Sequence, residues 1–184
     1  MEMKKVYLIH GWNGFPNNHW FPWLKKELEK LNFKVESLEM PNSKHPKLKE
    51  WLNHLNKSIE PNKDTYLVGH SLGCITIVRY LESLPENVKI KGCIFVAGFS
   101  FLNYKEIKEF YEKNPDINKI KRHCKNFVNI YSDNDEDISI EQSESFANLI
   151  KAKKVLEKEK GHFCLNDSVD KLPSVLNTIK VMSR

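Results

Sequence analysis

No run of about 18 apolar residues, the length a helix needs to cross a bilayer, occurs anywhere in the chain. The opening Met1-Glu2-Met3-Lys4-Lys5 leads into Val6-Tyr7-Leu8-Ile9, far too short an apolar stretch for a secretory signal. The four cysteines, Cys74, Cys93, Cys124 and Cys164, are widely spaced and form no Cys-x-x-Cys pair, so neither a zinc site nor a disulfide framework is indicated. Internal repeats and low-complexity segments are also missing. There is no basic stripe with interleaved aromatics: the net charge of +5 arises from lysines scattered among glutamates, as in Lys25-Lys26-Glu27 and Glu157-Lys158-Glu159-Lys160. Scattered charge of this kind describes solvated faces, and nucleic-acid binding is not expected. These absences leave a soluble, cytoplasmic protein with free thiols, no membrane association, no metal and no cofactor as the expectation.

At 184 residues and 40% hydrophobic, the chain suits a single domain spanning 1–184, with room for a sheet covered by helices on both faces. Its organising stretch is Gly69-His70-Ser71-Leu72-Gly73, which joins the strand-like Thr65-Tyr66-Leu67-Val68 to the helix-like run from Cys74 to Leu81. Gly-x-Ser-x-Gly between a strand and a helix reads as a nucleophile elbow, a turn so tight that the serine is lifted above the strand ends in a strained backbone. Ser71 is the candidate nucleophile.

The rest of the chain alternates. Val6-Tyr7-Leu8-Ile9 suits a buried parallel strand, and the loop after it is rich in special residues, Gly11 to Pro16. Trp20, Leu24, Leu28 and Leu31 mark one face of a helix, residues 33–38 a second strand, and Leu48, Trp51, Leu52, Leu55 and Ile59 a helix that Pro46 can open. The helix after the elbow is apolar at most positions and should be the most buried. Residues 90–97 form a fourth strand, 127–131 a fifth and 154–158 an edge strand. Ser139 and Gln142 resemble a capping box, and Leu172, Leu176 and Ile179 mark a closing helix. The segment 99–123 has no strand and is either a crossover in the helical layer or a small cap. This pattern predicts an α/β, doubly wound, mostly parallel sheet of about six strands with helices on both faces.

In such a sheet, loops after the carboxyl ends of the strands meet at one edge. Ser71 follows the third strand, the acidic turn Ser132-Asp133-Asn134-Asp135-Glu136-Asp137 the fifth, and His162 the sixth. A serine hydroxyl needs a base within reach and a carboxylate to orient that base. His162, beside Gly161, is the preferred base; His10 and His70 precede the acid and so break the order Ser, acid, His. Asp135 is the preferred acid, with Asp133 and Asp137 in the same turn as alternatives. Backbone N–H groups of Leu72 and of Trp12 are the candidates for an oxyanion hole. Trp12, Phe15, Phe99, Phe101 and Tyr104 are the candidate substrate-pocket residues.

The elbow, the segment from Trp20 to Lys30, Met40-Pro41, Arg79-Tyr80, Ile120-Lys121 with Cys124, the acidic turn and Gly161-His162-Phe163 together resemble the α/β-hydrolase superfamily. Within it, the chain is similar to the small YdeN-like serine hydrolases that include retinoblastoma-binding protein 9. The resemblance implies an α/β-hydrolase fold with a minimal cap and a triad of Ser71, Asp135 and His162. The 27 residues from Asp135 to His162 fit the family's spacing. Glu136 stands where the family often has proline, which keeps Asp133 and Asp137 open. The Leu-x-Cys-x-Glu motif linked with retinoblastoma binding is missing, since Leu72-Gly73-Cys74 continues with Ile75-Thr76. The expectation is a carboxylesterase-like serine hydrolase acting on a small ester, thioester or amide. Its rival is a non-catalytic binding protein on the same scaffold.

Overall fold

A computed structural model describes residues 3–100 and 104–184. Strands and helices alternate as β1 (Lys5–Ile9), α1 (Phe21–Glu29), β2 (Lys34–Leu38), α2 (Leu48–Ser58), β3 (Thr65–His70), α3 (Leu72–Ser83), β4 (Gly92–Val96), α4 (Ile117–His123), β5 (Phe127–Ser132), α5 (Ile140–Ile150), β6 (Lys153–Glu157) and α6 (Pro173–Met182). The strands form one sheet in the order β2-β1-β3-β4-β5-β6, with each neighbouring pair parallel. The α/β-hydrolase architecture expected from the sequence is therefore present. The chain steps outward from β1 to β2, then returns to the other side of β1 to lay down β3. Connections leave in opposite directions at that point, which opens a crevice beyond the carboxyl ends of β1 and β3.

Side chains on a strand alternate between faces, so each apolar run feeds two cores. Val6, Leu8, Tyr66, Val68, Ile94, Val96, Val128 and Ile130 pack with Phe21, Leu24 and Leu28 of α1 and Val175 and Ile179 of α6. Tyr7, Ile9, Leu67, Cys93, Phe95 and Phe127 face the other way, against Trp51 and Leu55 of α2, the apolar side of α3, and Phe146 and Ile150 of α5. Every residue of α3 from Leu72 to Leu81 is buried, because the helix is covered by the sheet beneath it and by α2 and α4 beside it.

Two expectations about the helices are corrected. Leu31, read as part of the α1 stripe, lies past the end of the helix and is 43% exposed. The Phe33 N–H turns back to the Leu28 carbonyl and Asn32 takes a left-handed conformation (φ 60°), a helix stop that asparagine tolerates. Helix α2 starts at Leu48, two residues beyond Pro46.

The described part of 99–123 is tied to the helical layer. Ile107, Phe110 and Ile120 are buried in the α2–α3 core. The Arg79 guanidinium donates to the carbonyls of Phe110 and Lys113 and pairs with Glu82 at 2.8 Å, while Glu109 accepts from the Leu48 N–H at 2.7 Å. A crossover is the reading these contacts favour. Phe101 lies outside the described residues.

Candidate active site

Between the end of β3 and the start of α3, Ser71 adopts φ 53° and ψ −121°, a conformation that costs an L-residue on the order of 1–3 kcal/mol and persists only where the surroundings impose it. The surroundings are specific. The Ser71 N–H donates to the Val96 carbonyl of β4, and the Ser71 carbonyl accepts from the Cys74 N–H, both at 2.9 Å. A Cβ at Gly73 would run into the carbonyl of Ile9, so glycine is what lets α3 lie directly on β1. Gly11 also comes close, from the other side: a Cβ there would stand 2.8 Å from the Ser71 Cβ and 3.3 Å from its Oγ. The β1 loop thus runs along the serine, and the N–H groups of Trp12 and Leu72 have no acceptor among the described residues.

His162 reaches this edge from the loop after β6. Its Nδ1 donates to Asp135 Oδ2 at 2.9 Å, and the Asp135 side chain is only 2% exposed. The other carboxylate oxygen, Oδ1, accepts the N–H groups of Asp137 and Ile138, each at 2.9 Å. With Nδ1 committed as donor, the imidazole presents Nε2 as its lone-pair nitrogen. Of the three aspartates in the turn, Asp135 alone pairs with the imidazole. Asp133 turns outward to take the Glu159 N–H at 2.7 Å, and Asp137 is exposed.

What holds the histidine loop against the acidic turn was not singled out from the sequence. Three consecutive N–H groups, those of Glu159, Lys160 and Gly161, donate to Asp133 Oδ1, Ser132 Oγ and Asn134 Oδ1 at 2.7, 3.0 and 2.8 Å. The Ser132 hydroxyl in turn donates to Asn134 Oδ1 at 2.8 Å. The run Ser-Asp-Asn at a strand end is the available signal, since these short side chains seek backbone groups. His70 adds a tie from the elbow, its Nε2 donating to the His162 carbonyl at 2.8 Å with the two rings 5.1 Å apart. His19 packs on His70 at 5.3 Å and accepts the Leu165 N–H at Nδ1. Burial, reinforced by the nearby His162 ring, holds both below the usual imidazole pKa, His70 well below it. His10 is also lowered by burial; its Nδ1 donates to the Gly11 carbonyl and its Nε2 accepts from the Met40 N–H, so it serves to pin the β1 loop.

The candidate pocket residues separate. Trp12 packs against the exposed Tyr104 with ring centroids 5.6 Å apart and donates its indole N–H to the Lys44 carbonyl. Phe15 is 55% exposed, whereas Phe99 is buried and stacks on Tyr111 at 5.1 Å as part of the core. A cavity of about 290 Å³ beside His162 is lined in part by Glu136, Asp137, Cys164 and Asp167. Burial and the adjacent carboxylates push the Cys164 thiol up to about 12, so it is not poised as a nucleophile. Among the described residues, Asp135, Asp137 and His162 are the group whose donor atoms lie close enough together, within 4.8 Å, to hold a metal ion. The facing atoms of Asp135 and His162 already bond each other.

The chain resembles known proteins over most of its length. The protein YdeN of Bacillus subtilis (strain 168), named as a hydrolase, is 36% identical over 179 residues, covering 96% of this chain and 94% of its own. The crystal structure of the B. subtilis ydeN gene product superposes with a TM-score of 0.93 at 35% identity, over 97% of this chain and 98% of that one. Serine hydrolase RBBP9 of Rattus norvegicus is 22% identical over 162 residues, 86% of this chain and 87% of its own. The sequence profile of the serine hydrolases matches residues 6–181, and the chain belongs to that family.

Proposed function

We propose that the protein is a carboxylesterase-like enzyme that cleaves a small ester, thioester or amide through an acyl-enzyme on Ser71. The observation that carries this reading is the Asp135–His162 hydrogen bond, formed at the edge of the sheet where the strained elbow presents Ser71. In the first half-reaction Ser71 Oγ attacks the substrate carbonyl carbon and its proton passes to His162 Nε2. Asp135 stabilises the imidazolium by accepting from Nδ1. The carbonyl oxygen takes up the negative charge, and the N–H groups of Leu72 and Trp12 donate to it. His162 then protonates the leaving group as the bond to it breaks. In the second half-reaction a water gives its proton to His162 and attacks the acyl carbon, and Ser71 departs with that proton. The half-buried Trp12 and the exposed Tyr104 offer a small apolar roof, which favours compact acyl groups over long lipid chains.

A fluorophosphonate probe tests the proposal. Intact-mass analysis should show one probe per chain, peptide mapping should place it on Ser71, and Ser71→Ala should abolish it. Turnover of p-nitrophenyl acetate in Ser71→Ala should fall by about three orders of magnitude or more. A wild-type chain inert to the probe would favour the binding-protein alternative, and Ser71→Ala activity within tenfold of wild type would assign the nucleophile elsewhere.

A further inference from the structure

At the opposite edge of the sheet, where the strands begin, lies a cavity of about 970 Å³. Among the described residues that line it, six are cationic, Lys4, Lys63, Lys89, Lys91, Arg122 and Lys125, and one, Asp64, is a carboxylate. These seven carry a net charge of +5, as large as that of the whole chain, whose other 23 basic and 23 acidic residues balance. The topology explains how distant lysines gather. Lys4, Lys63, Lys91 and Lys125 stand immediately before or two residues before β1, β3, β4 and β5, which are neighbours in the sheet in that order. At about 4.8 Å per strand the row spans about 14 Å.

Ordinary structural roles absorb only part of this charge. Arg122 is in the last turn of α4, where a cation complements the helix dipole, and Lys89 caps the Arg122 carbonyl at 2.6 Å. Lys4 donates to the Ser183 carbonyl at 2.9 Å. The side chains of Lys63, Lys91 and Lys125 have no hydrogen-bond or ion-pair partner among the described residues, and none of the six cations pairs with a carboxylate there. His123, which lines the same cavity, is fixed by its Nδ1, which donates to the Val88 carbonyl at 2.9 Å.

We propose that this cavity binds a small polyanion bearing two or more phosphate groups, whether carried by a nucleoside or as free polyphosphate. Lysines act as point charges for phosphate and need no bidentate geometry, which suits a row set by strand spacing. Among the described residues no Phe, Tyr or Trp side chain lines the cavity, and such rings are the stacking platform on which single-stranded nucleic acid is usually held. The site is independent of the hydrolytic one, since strands of five or six residues separate the two edges by about 16 to 20 Å.

The test uses sodium tripolyphosphate, ATP and citrate as probes, with titration calorimetry and thermal unfolding at low and moderate salt. Three proteins are compared: wild type, K63E/K91E/K125E, and the control K49E/K57E/K158E, which carries the same net charge. Tripolyphosphate and ATP should bind wild type and control alike, raise their unfolding midpoints, and bind at least about fivefold more tightly than citrate. Affinity should fall about tenfold or more in the cavity variant. Equal affinity for ATP and tripolyphosphate would assign recognition to the phosphate chain alone, and tighter ATP binding would add the nucleoside. The proposal is overturned if wild type binds neither phosphate probe, if cavity and control variants lose affinity equally, or if a single-stranded 20-mer binds more tightly than tripolyphosphate. Circular dichroism without ligand checks folding, and K63Q/K91Q/K125Q replaces the reversal should that variant misfold. None of these readouts depends on hydrolysis.

Discussion

Asp135 shows how a single carboxylate is distinguished from its neighbours. Its Oδ1 is saturated by the Asp137 and Ile138 N–H groups, which fixes the plane of the carboxylate and aims Oδ2 at His162 Nδ1. An asparagine at 135 would keep acceptor geometry at one oxygen but would present an NH₂ to the imidazole or force the ring into the other tautomer. Under the proposed mechanism, Asp135→Asn should lower turnover about a thousandfold, whereas Asp137→Asn should stay within about threefold because the Asp137 carboxylate, though within 4.8 Å of His162, leaves its imidazole bonded to Asp135. Asp133→Asn keeps an oxygen for the Glu159 N–H and should cost less than tenfold. Side-by-side p-nitrophenyl acetate kinetics decide between them, and the largest loss at 133 or 137 would transfer the acid's role to that residue.

Among the elements, the decisive one is the junction of two loops rather than any helix. The loop after β6 carries left-handed residues at Glu159, Gly161 and Phe163, a backbone that would not hold its path without partners. Ser132, Asp133 and Asn134 provide them at three successive N–H groups. Ser132 is 1% exposed, so Ser132→Ala leaves the Lys160 N–H without its acceptor and should cost about 1–2 kcal/mol of stability. Because the loop positions His162, the variant should also lose about tenfold in turnover and label more slowly with fluorophosphonate. A stability loss with unchanged labelling would make the latch purely structural. The three side chains are adjacent in sequence, but their partners lie 26 to 28 residues away, which is why the latch was not read from the chain.

For the whole molecule, histidines buried in neutral form tie stability to pH. His10, His19 and His70 each have a folded pKa below the ordinary 6.5, chiefly through burial. Below about pH 6.5 the unfolded chain takes up protons that the folded chain refuses, so stability rises with pH and falls as pH drops through that value. Each such group contributes a slope of up to about 1.4 kcal/mol per pH unit. Unfolding midpoints should be flat near pH 7.5 and decline toward pH 5.5. His70→Gln, which can still offer an N–H to the His162 carbonyl, should flatten that decline while lowering stability at neutral pH. An unchanged slope in His70→Gln would show that His70 does not carry the linkage. The molecule is also polar along its strands, with carboxylates of Glu136, Asp137 and Asp167 beside His162 and the lysine row at the far edge.

The alternation of short apolar runs with amphipathic segments determined the parallel sheet, because strand periodicity and helix periodicity are local properties of consecutive residues. The elbow was equally legible, since Gly69, Ser71 and Gly73 meet their steric constraints within five positions, and the order Ser, acid, His follows from which strand each residue trails. Tertiary structure alone decided what depends on contacts between distant segments. It paired Asp135, rather than Asp133 or Asp137, with the imidazole of a loop 27 residues on, drew Phe99 into the core against Tyr111, and ended α1 before Leu31. It also turned lysines scattered along the chain into one basic cavity. A parallel sheet brings every strand's first residue to the same edge, so charges that are isolated in sequence become neighbours about 4.8 Å apart.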